Sequence, residues 1–142
     1  MPIEIRLSHG SEVSGALSVV NVGGSNATIV RSNYRIYFSK VGLPLRSPLD
    51  ERETPLIPIN TVVERGASRV QVITDTVLFD VGDDRGSRDI RQYATEGWQT
   101  YIIGEIVYQD DGGADHYMGF CRIRQSDGRF RAVDDPDYEY ED

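Results

Sequence analysis

The chain has 142 residues, a length that suits one domain with its own hydrophobic core, and its formal net charge is −8. An acidic chain is repelled by phosphate groups, so the charge argues against a nucleic acid or an anionic membrane surface as partner. Cys121 is the single cysteine, which excludes an intrachain disulfide and the disulfide-rich class of small secreted domains. No apolar run approaches the roughly 20 residues that span a bilayer.

Alternation of apolar and polar residues predicts two strands at the start of the chain. Pro2–Ser8 and Ala16–Val22 both place apolar side chains at every second position, which is typical of half-buried strands. The second strand ends where Gly23 and Gly24 stand beside asparagines, and such residues supply the positive φ angles of a tight turn. The first quarter of the chain is therefore predicted to be β-structure.

The third predicted strand, Ala27–Lys40, has one buried and one solvent-exposed face. Residues 41–61 follow and contain four prolines, which break both helices and strand ladders, so they are predicted as a long connection with a short edge strand near Leu56–Ile59. The core face of the third strand is assigned to Val30, Tyr34, Ile36 and Phe38, and the exposed face to Arg31, Asn33, Arg35 and Tyr37.

A fourth long strand is predicted over Ser68–Phe79, with Val70 and Val72 facing the core around Gln71. The turn residues after it lead into a short helix over Arg88–Thr95. Ser87 is a suitable N-cap for this helix, and Gly97 would end it.

The strongest pattern is a hairpin in the second half of the chain. Trp98–Tyr108 is apolar on both faces, as expected of a central strand, and Gly104 within it would allow a neighbouring group to approach closely. Gln109–Asp115 supplies the turn, and His116–Arg124 returns antiparallel.

These elements predict an all-β fold, an immunoglobulin-like antiparallel β-sandwich of about seven strands with one short helix before the penultimate long strand. A closed barrel is the alternative. Residues 1–133 form the single domain. Residues 134–142 contain six acidic side chains and are predicted to be a disordered tail, because such a segment buries little apolar area to offset its ordering entropy. The alternative is that the tail, which also contains Tyr138 and Tyr140, docks onto the chain's own arginines or onto a basic groove of a partner.

No catalytic pattern is present, so no enzyme activity and no cofactor are expected. His9 and His116 are the only histidines, and no Gly-x-Ser-x-Gly elbow occurs. His116 and Cys121 lie five positions apart on a strand and therefore on opposite faces, which prevents them from sharing a metal ion. His116 is expected to bond a turn carboxylate such as Asp110 or Asp111, and Cys121 to be a small buried hydrophobe.

Two aspartate-rich loops are the weak candidates for calcium. The first departs from the EF-hand spacing, since Gly82 stands at the third position, and solvated turns are the favoured interpretation of both loops. The candidate ligands are Asp80, Asp83 and Asp84 in the first loop and Asp110, Asp111 and Asp115 in the second.

A longer pattern adds a resemblance. The chain reads N-x-G-x-x-x-A from Asn21 to Ala27 and Y-x-x-G-x-I-x-Y-x-D from Tyr101 to Asp110, followed by His116 and Phe120-Cys121. Over Leu17–Arg124 it resembles a group of uncharacterised bacterial membrane-anchored proteins with a soluble immunoglobulin-like β-sandwich domain. It departs from that group's frequent threonine-proline, with Ser25-Asn26 at those positions.

The resemblance implies that the chain is the soluble part of a bacterial protein whose membrane anchor lies outside it. It implies no reaction and transfers no site residue. The leading hypothesis is a non-enzymatic module that binds another protein through a sheet edge or loops. The alternative is a calcium- or small-ligand-binding domain that uses the aspartate-rich loops.

Overall fold

The computed structural model describes residues 3–7, 13–43, 54–75, 78–79 and 97–142. Within these ranges the protein is all-β and contains no helix, so none is present there that could cross a membrane. The helix predicted over Arg88–Thr95 lies outside the described residues. The strands are β1 (Ile3–Leu7), β2 (Val13–Val20), β3 (Ala27–Ser39), β4 (Val62–Val63), β5 (Ser68–Asp75), β6 (Leu78–Phe79), β7 (Gln99–Gln109), β8 (Asp115–Arg124), β9 (Phe130–Ala132) and β10 (Tyr140–Glu141).

The strands form two sheets. One has three strands in the order β1-β2-β5, and the other has seven, with the path β10-β8-β7-β3-β4, β9 beside β8 and β6 beside β3. All neighbours are antiparallel except β3 and β6. The predicted all-β antiparallel class and the central hairpin are confirmed.

Both sheets contribute to one hydrophobic core. Leu17 of β2 belongs to the same cluster as Ile36 of β3, Ile102 of β7 and Phe120 of β8, and all four side chains are fully buried. Because β2 and the other three strands belong to different sheets, the core joins the sheets. We refer to this group as the inner cluster.

A β-bulge corrects the predicted face of Val30. Ile29 pairs with Tyr108 and Arg31 pairs with Val107, so Val30 is an extra residue without a partner in the ladder. An extra residue shifts the alternation by one position. Ile29 is therefore buried and Val30 is 38% exposed, whereas beyond the bulge the predicted core face is correct for Tyr34, Ile36 and Phe38.

The face of β3 that was predicted to be exposed is buried in its second half, whereas Arg31 is exposed as predicted and Asn33 is half-buried. Arg35 has no exposed surface and Tyr37 is 7% exposed, because other parts of the chain cover this side of the seven-stranded sheet. Arg35 Nη1 donates to the Thr54 hydroxyl at 2.6 Å. The buried apolar residues on this side form a second group, the outer cluster, comprising Tyr37, Tyr101, Ile103, Cys121, Ile123 and Tyr138.

The predicted inward direction of Val70 is also wrong. The register places Gln71 opposite Leu17 and Val70 opposite Ser18, so Gln71 shares the core face and Val70 is 60% exposed. The side chain of Val72 is outside the described part. The predicted long strand over residues 68–79 is two strands, β5 and β6, separated by residues 76–77.

The predicted edge strand near Leu56–Ile59 is replaced by an irregular segment. Among the described residues, its contact with the ladder is an isolated bridge between Pro55 and Asn33. The Ser32 hydroxyl accepts from Ile57 N at 2.7 Å and donates to Ile57 O at 3.0 Å, which satisfies the backbone where prolines prevent a ladder. The buried Leu56 and Ile57 thereby join the inner cluster.

Residues 134–142, the C-terminal segment, differ from the disordered tail that the charges predict. β10 within the segment pairs with β8. Tyr138 is 5% exposed and belongs to the outer cluster. The physical reason is that a tyrosine inside an acidic run still buries a large apolar ring, which a count of charges overlooks.

Candidate functional site

A cleft of about 380 Å³ lies between the turn after β2 and the β7–β8 hairpin. Residues 21–27 form one wall, and Tyr108, Asp110, His116 and Glu141 form the other. We refer to it as the hairpin cleft. Its volume and its convergent polar groups make it a candidate site for a small ligand.

Asn21 fixes the first wall. Its Oδ1 accepts from Gly23 N at 3.0 Å, and its Nδ2 donates to Ser25 O and Val63 O, both at 2.9 Å. The side chain is 4% exposed, so the amide serves the turn itself. These bonds hold the backbone of the turn in one shape and attach it to β4.

Asp110 fixes the second wall. Its Oδ1 accepts from Gly112 N at 2.9 Å and from Ala114 N at 3.0 Å, which closes the hairpin turn around Gly113 at a φ of 81°. Asp111 joins the two walls, since its Oδ2 accepts from Asn26 N at 3.3 Å. Hydrogen bonds between side chains and backbone groups thus hold both walls of the cleft and join them.

His116 lines the second wall of the cleft between two acidic residues. Its Nε2 lies 2.9 Å from Asp110 Oδ2, which confirms the predicted bond to a turn carboxylate. Its Nδ1 lies 3.4 Å from the backbone oxygen of Asp142 and 4.0 Å from that residue's Oδ1. The imidazole also stacks on Tyr108, with ring centroids 5.1 Å apart.

These contacts favour the charged form of the histidine. The hydrogen bond to Asp110 raises the pKa of His116, with a further contribution from the backbone oxygen of Asp142, and the same bond lowers the pKa of Asp110. An imidazolium donates from both nitrogens and has no lone pair to accept a proton. Charged His116 therefore links the hairpin turn, through Asp110, to the C-terminal segment, through Asp142, and we refer to these contacts as the clasp.

The clasp predicts a pH-dependent stability. The pKa of His116 is raised above its ordinary value of 6.5. The contribution of protonated His116 to the stability of the fold is therefore complete below about pH 6.5 and is lost as the pH rises through the raised pKa. The pKa of Asp110 is lowered below its ordinary value of 3.8, so the contribution of the Asp110 carboxylate to stability is lost only as the pH falls through that lower value. His116→Gln is expected to lower the thermal midpoint more at about pH 5 than at about pH 9.

Calorimetry at both pH values checks this prediction, and NMR titration of the imidazole in wild type and Asp110→Asn provides the control. The pKa of His116 should fall in the variant. Both side chains are about 30% exposed, so added salt should weaken the effect. An equal change in midpoint at the two pH values would contradict the clasp.

The candidate calcium ligands are not assembled into a site in the described residues. Asp110 binds the turn and His116, Asp111 binds Asn26, and Asp115 begins β8. Within the described ranges, no group of three or more His, Cys, Asp or Glu side chains could hold a metal ion. Asp80, Asp83 and Asp84 lie outside those ranges.

Cys121 lies in the outer cluster, apart from His116, which lines the cleft. It is fully buried, as predicted, and burial raises the pKa of its thiol well above the usual range. The thiolate is the reactive form. Labelling of this single cysteine by iodoacetamide at pH 8 is therefore expected to be at least a hundredfold slower in the native protein than in urea, as followed by mass spectrometry, and similar rates would contradict the burial.

The C-terminal segment holds residues that the sequence did not assign to a site, although docking of the segment onto the chain's own arginines was the alternative prediction. Glu139 Oε1 accepts from Cys121 N at 2.9 Å and lies 2.9 Å from Arg122 Nε. Tyr138 and Tyr140 stand on either side of it. The tyrosines at alternate positions were a signal that could have revealed a strand within the acidic run.

Comparison of the sequence with protein-family models and with curated proteins finds no match. The resemblance stated above therefore stays a prediction. Several of its residues, distant in sequence, nevertheless line the hairpin cleft together: Asn21, Gly23, Ala27, Tyr108, Asp110 and His116.

Proposed function

We propose that the chain is a non-enzymatic, immunoglobulin-like β-sandwich module that binds another protein by strand addition at the edge of β5. In this proposal it is the soluble part of a membrane-anchored bacterial protein, with the anchor outside the chain. The shared inner cluster supports a sandwich. A closed barrel would need a ladder between the two sheets, and none joins them in the described residues.

The observation that carries the proposal is the edge of β5. This strand has eight residues and pairs with β2 along its whole length, while no strand in the described part of the chain pairs with its other edge. The first three side chains of β5 are exposed, namely those of Ser68, Arg69 and Val70. An unpaired edge offers a row of backbone donors and acceptors to an extended segment of another protein.

Val70→Lys tests the proposal, because a lysine on an edge strand opposes strand addition. Val41→Lys is the matched control, since Val41 is 80% exposed in the bend after β3. In quantitative affinity capture from the native membrane, partners recovered by the wild type and by the control should fall at least tenfold with Val70→Lys. Equal recovery by all three proteins, or no partner above background, would contradict the proposal.

The hairpin cleft supports a second candidate, a small-ligand-binding domain, whereas the calcium alternative would rest on the first aspartate-rich loop, outside the described residues. The volume of the cleft falls within the range of about 300–1,000 Å³ that is usual for ligand pockets. Ligand binding to the folded state raises the thermal midpoint. Melting curves with and without millimolar calcium and across a panel of sugars should show such a rise, and an unchanged midpoint throughout would remove this candidate.

A further inference from the structure

The C-terminal segment binds the edge of β8 in the manner of an extended peptide. Tyr140 pairs with Gly119 and Glu141 pairs with Met118. Asp142 continues the contact, because its N donates to Tyr117 O at 3.1 Å and its Oδ1 accepts from Tyr117 N at 2.8 Å. The seven-stranded sheet thus accepts a short additional strand at this edge.

Three successive residues of the segment enter three different environments. Tyr138 packs into the outer cluster beside Cys121, and burial raises its pKa to about 12. Glu139 is bound by the backbone of Cys121 and by Arg122. The ring of Tyr140 lies against Gly119, where an added Cβ would overlap it. The edge therefore distinguishes aromatic, acidic and aromatic side chains in that order.

The segment is also opposed by its own charge. Residues 134–142 carry six carboxylates. The contact of Tyr140 with Glu105 is favourable, because the Tyr140 hydroxyl donates to Glu105 Oε2 at 3.3 Å. Burial further raises the pKa of Glu139, against the influence of Cys121 N and Arg122. Only two residue pairs form the ladder. A peptide with the same three anchors and fewer carboxylates would make the same contacts with less repulsion.

We propose that this edge of β8, with Gly119, Cys121 and Arg122, is a binding site for an extended segment of a partner protein that carries an aromatic–glutamate–aromatic sequence. The C-terminal segment occupies the site from within the same chain, and the partner displaces it. The site lies on the seven-stranded sheet and β5 lies on the other, so this proposal and the proposed function can fail separately.

A fluorescein-labelled nonapeptide with Tyr-Glu-Tyr at its centre and serine or glutamine elsewhere is the probe. Fluorescence anisotropy with the 142-residue protein should show saturable binding. Tyr138→Ala weakens the internal competitor and leaves the edge intact, so the peptide should bind at least tenfold more tightly. Gly119→Ala in the same background removes the space for the second tyrosine and should weaken binding at least tenfold.

Cys121 supplies a second readout. Tyr138→Ala should speed iodoacetamide labelling of Cys121, and the nonapeptide should slow it again. Circular dichroism establishes that each variant is folded. If Tyr138→Ala does not fold, Tyr140→Ala takes its place, because Tyr140 is 40% exposed.

Three results of the binding and labelling assays would overturn the proposal. These are the absence of peptide binding to a folded variant with a weakened segment, binding that Gly119→Ala leaves unchanged, and labelling of Cys121 that the peptide does not slow. A dimer that forms with rising protein concentration and disappears in Tyr138→Ala would also overturn it, because the occupant would then be the segment of a second copy.

Discussion

Gly104→Ala is expected to destabilise the fold by about 3 kcal/mol. Gly104 lies in the middle of β7, opposite Phe120 of β8, and a Cβ added at this position would overlap the aromatic ring. Phe120 is fully buried in the inner cluster, so the ring cannot move without displacing other core side chains. Urea denaturation measures the loss, with the fluorescence of Trp98, the only tryptophan, as the signal.

Gly24→Ala is the matched control, because an added Cβ there meets nothing within 4 Å. It should change the free energy of unfolding by no more than about 0.5 kcal/mol. The double variant Gly104→Ala with Phe120→Leu should be less destabilised than the sum of its single changes, since a smaller side chain vacates part of the space. Equal losses for Gly104→Ala and Gly24→Ala would contradict the close contact.

Leu17→Ala is expected to cost about 3 kcal/mol, within the usual range for a leucine removed from a packed core. Leu17 is the test residue for the joint core because it extends from the three-stranded sheet into a cluster formed mainly by the seven-stranded sheet. Its loss should weaken the contact between the sheets. Urea denaturation, monitored both by fluorescence and by circular dichroism, measures the loss of unfolding free energy. Coincident transitions in the two signals would show that the sheets unfold together.

Val70→Ala is the control, and it separates the two assignments of the β5 faces. With Val70 60% exposed, the change should cost less than about 0.5 kcal/mol. If the inward direction that the sequence favours were correct, the cost would approach that of Leu17→Ala. A large loss for Val70→Ala would therefore contradict the observed register of β2 and β5.

The β7–β8 hairpin could be predicted from the sequence because its determinants are local. An apolar run, the turn after Gln109 and a glycine opposite a phenylalanine all lie within Trp98–Arg124. The bond between Asp110 and His116 belongs to the same turn and could be predicted for the same reason. In such a segment, residues that contact one another are already close in sequence.

The features that could not be predicted depend on partners distant in sequence. The direction of Val70 follows from its register with β2, and the burial of Tyr37 follows from covering by other parts of the chain. The hairpin cleft likewise requires Asn21 and His116, which are far apart in sequence, to line the same cavity. Periodicity indicates that a strand has two faces, but the neighbouring elements decide which face is covered.

The bulge at Val30 also affects how the chain can tolerate changes in length. Side chains alternate along a strand, so deleting a paired residue of β3 would turn every following side chain to the opposite face. Val30 has no partner in the ladder, and its removal would align Ile29 and Arg31 on adjacent positions of β7. The two halves of β3 would then form one regular alternation in which Ile29 and Tyr34 both keep the core face, so deletion of Val30 should be tolerated better than deletion of a paired residue. The extra residue thus marks a position where a change of one residue in chain length leaves the faces of β3 unchanged.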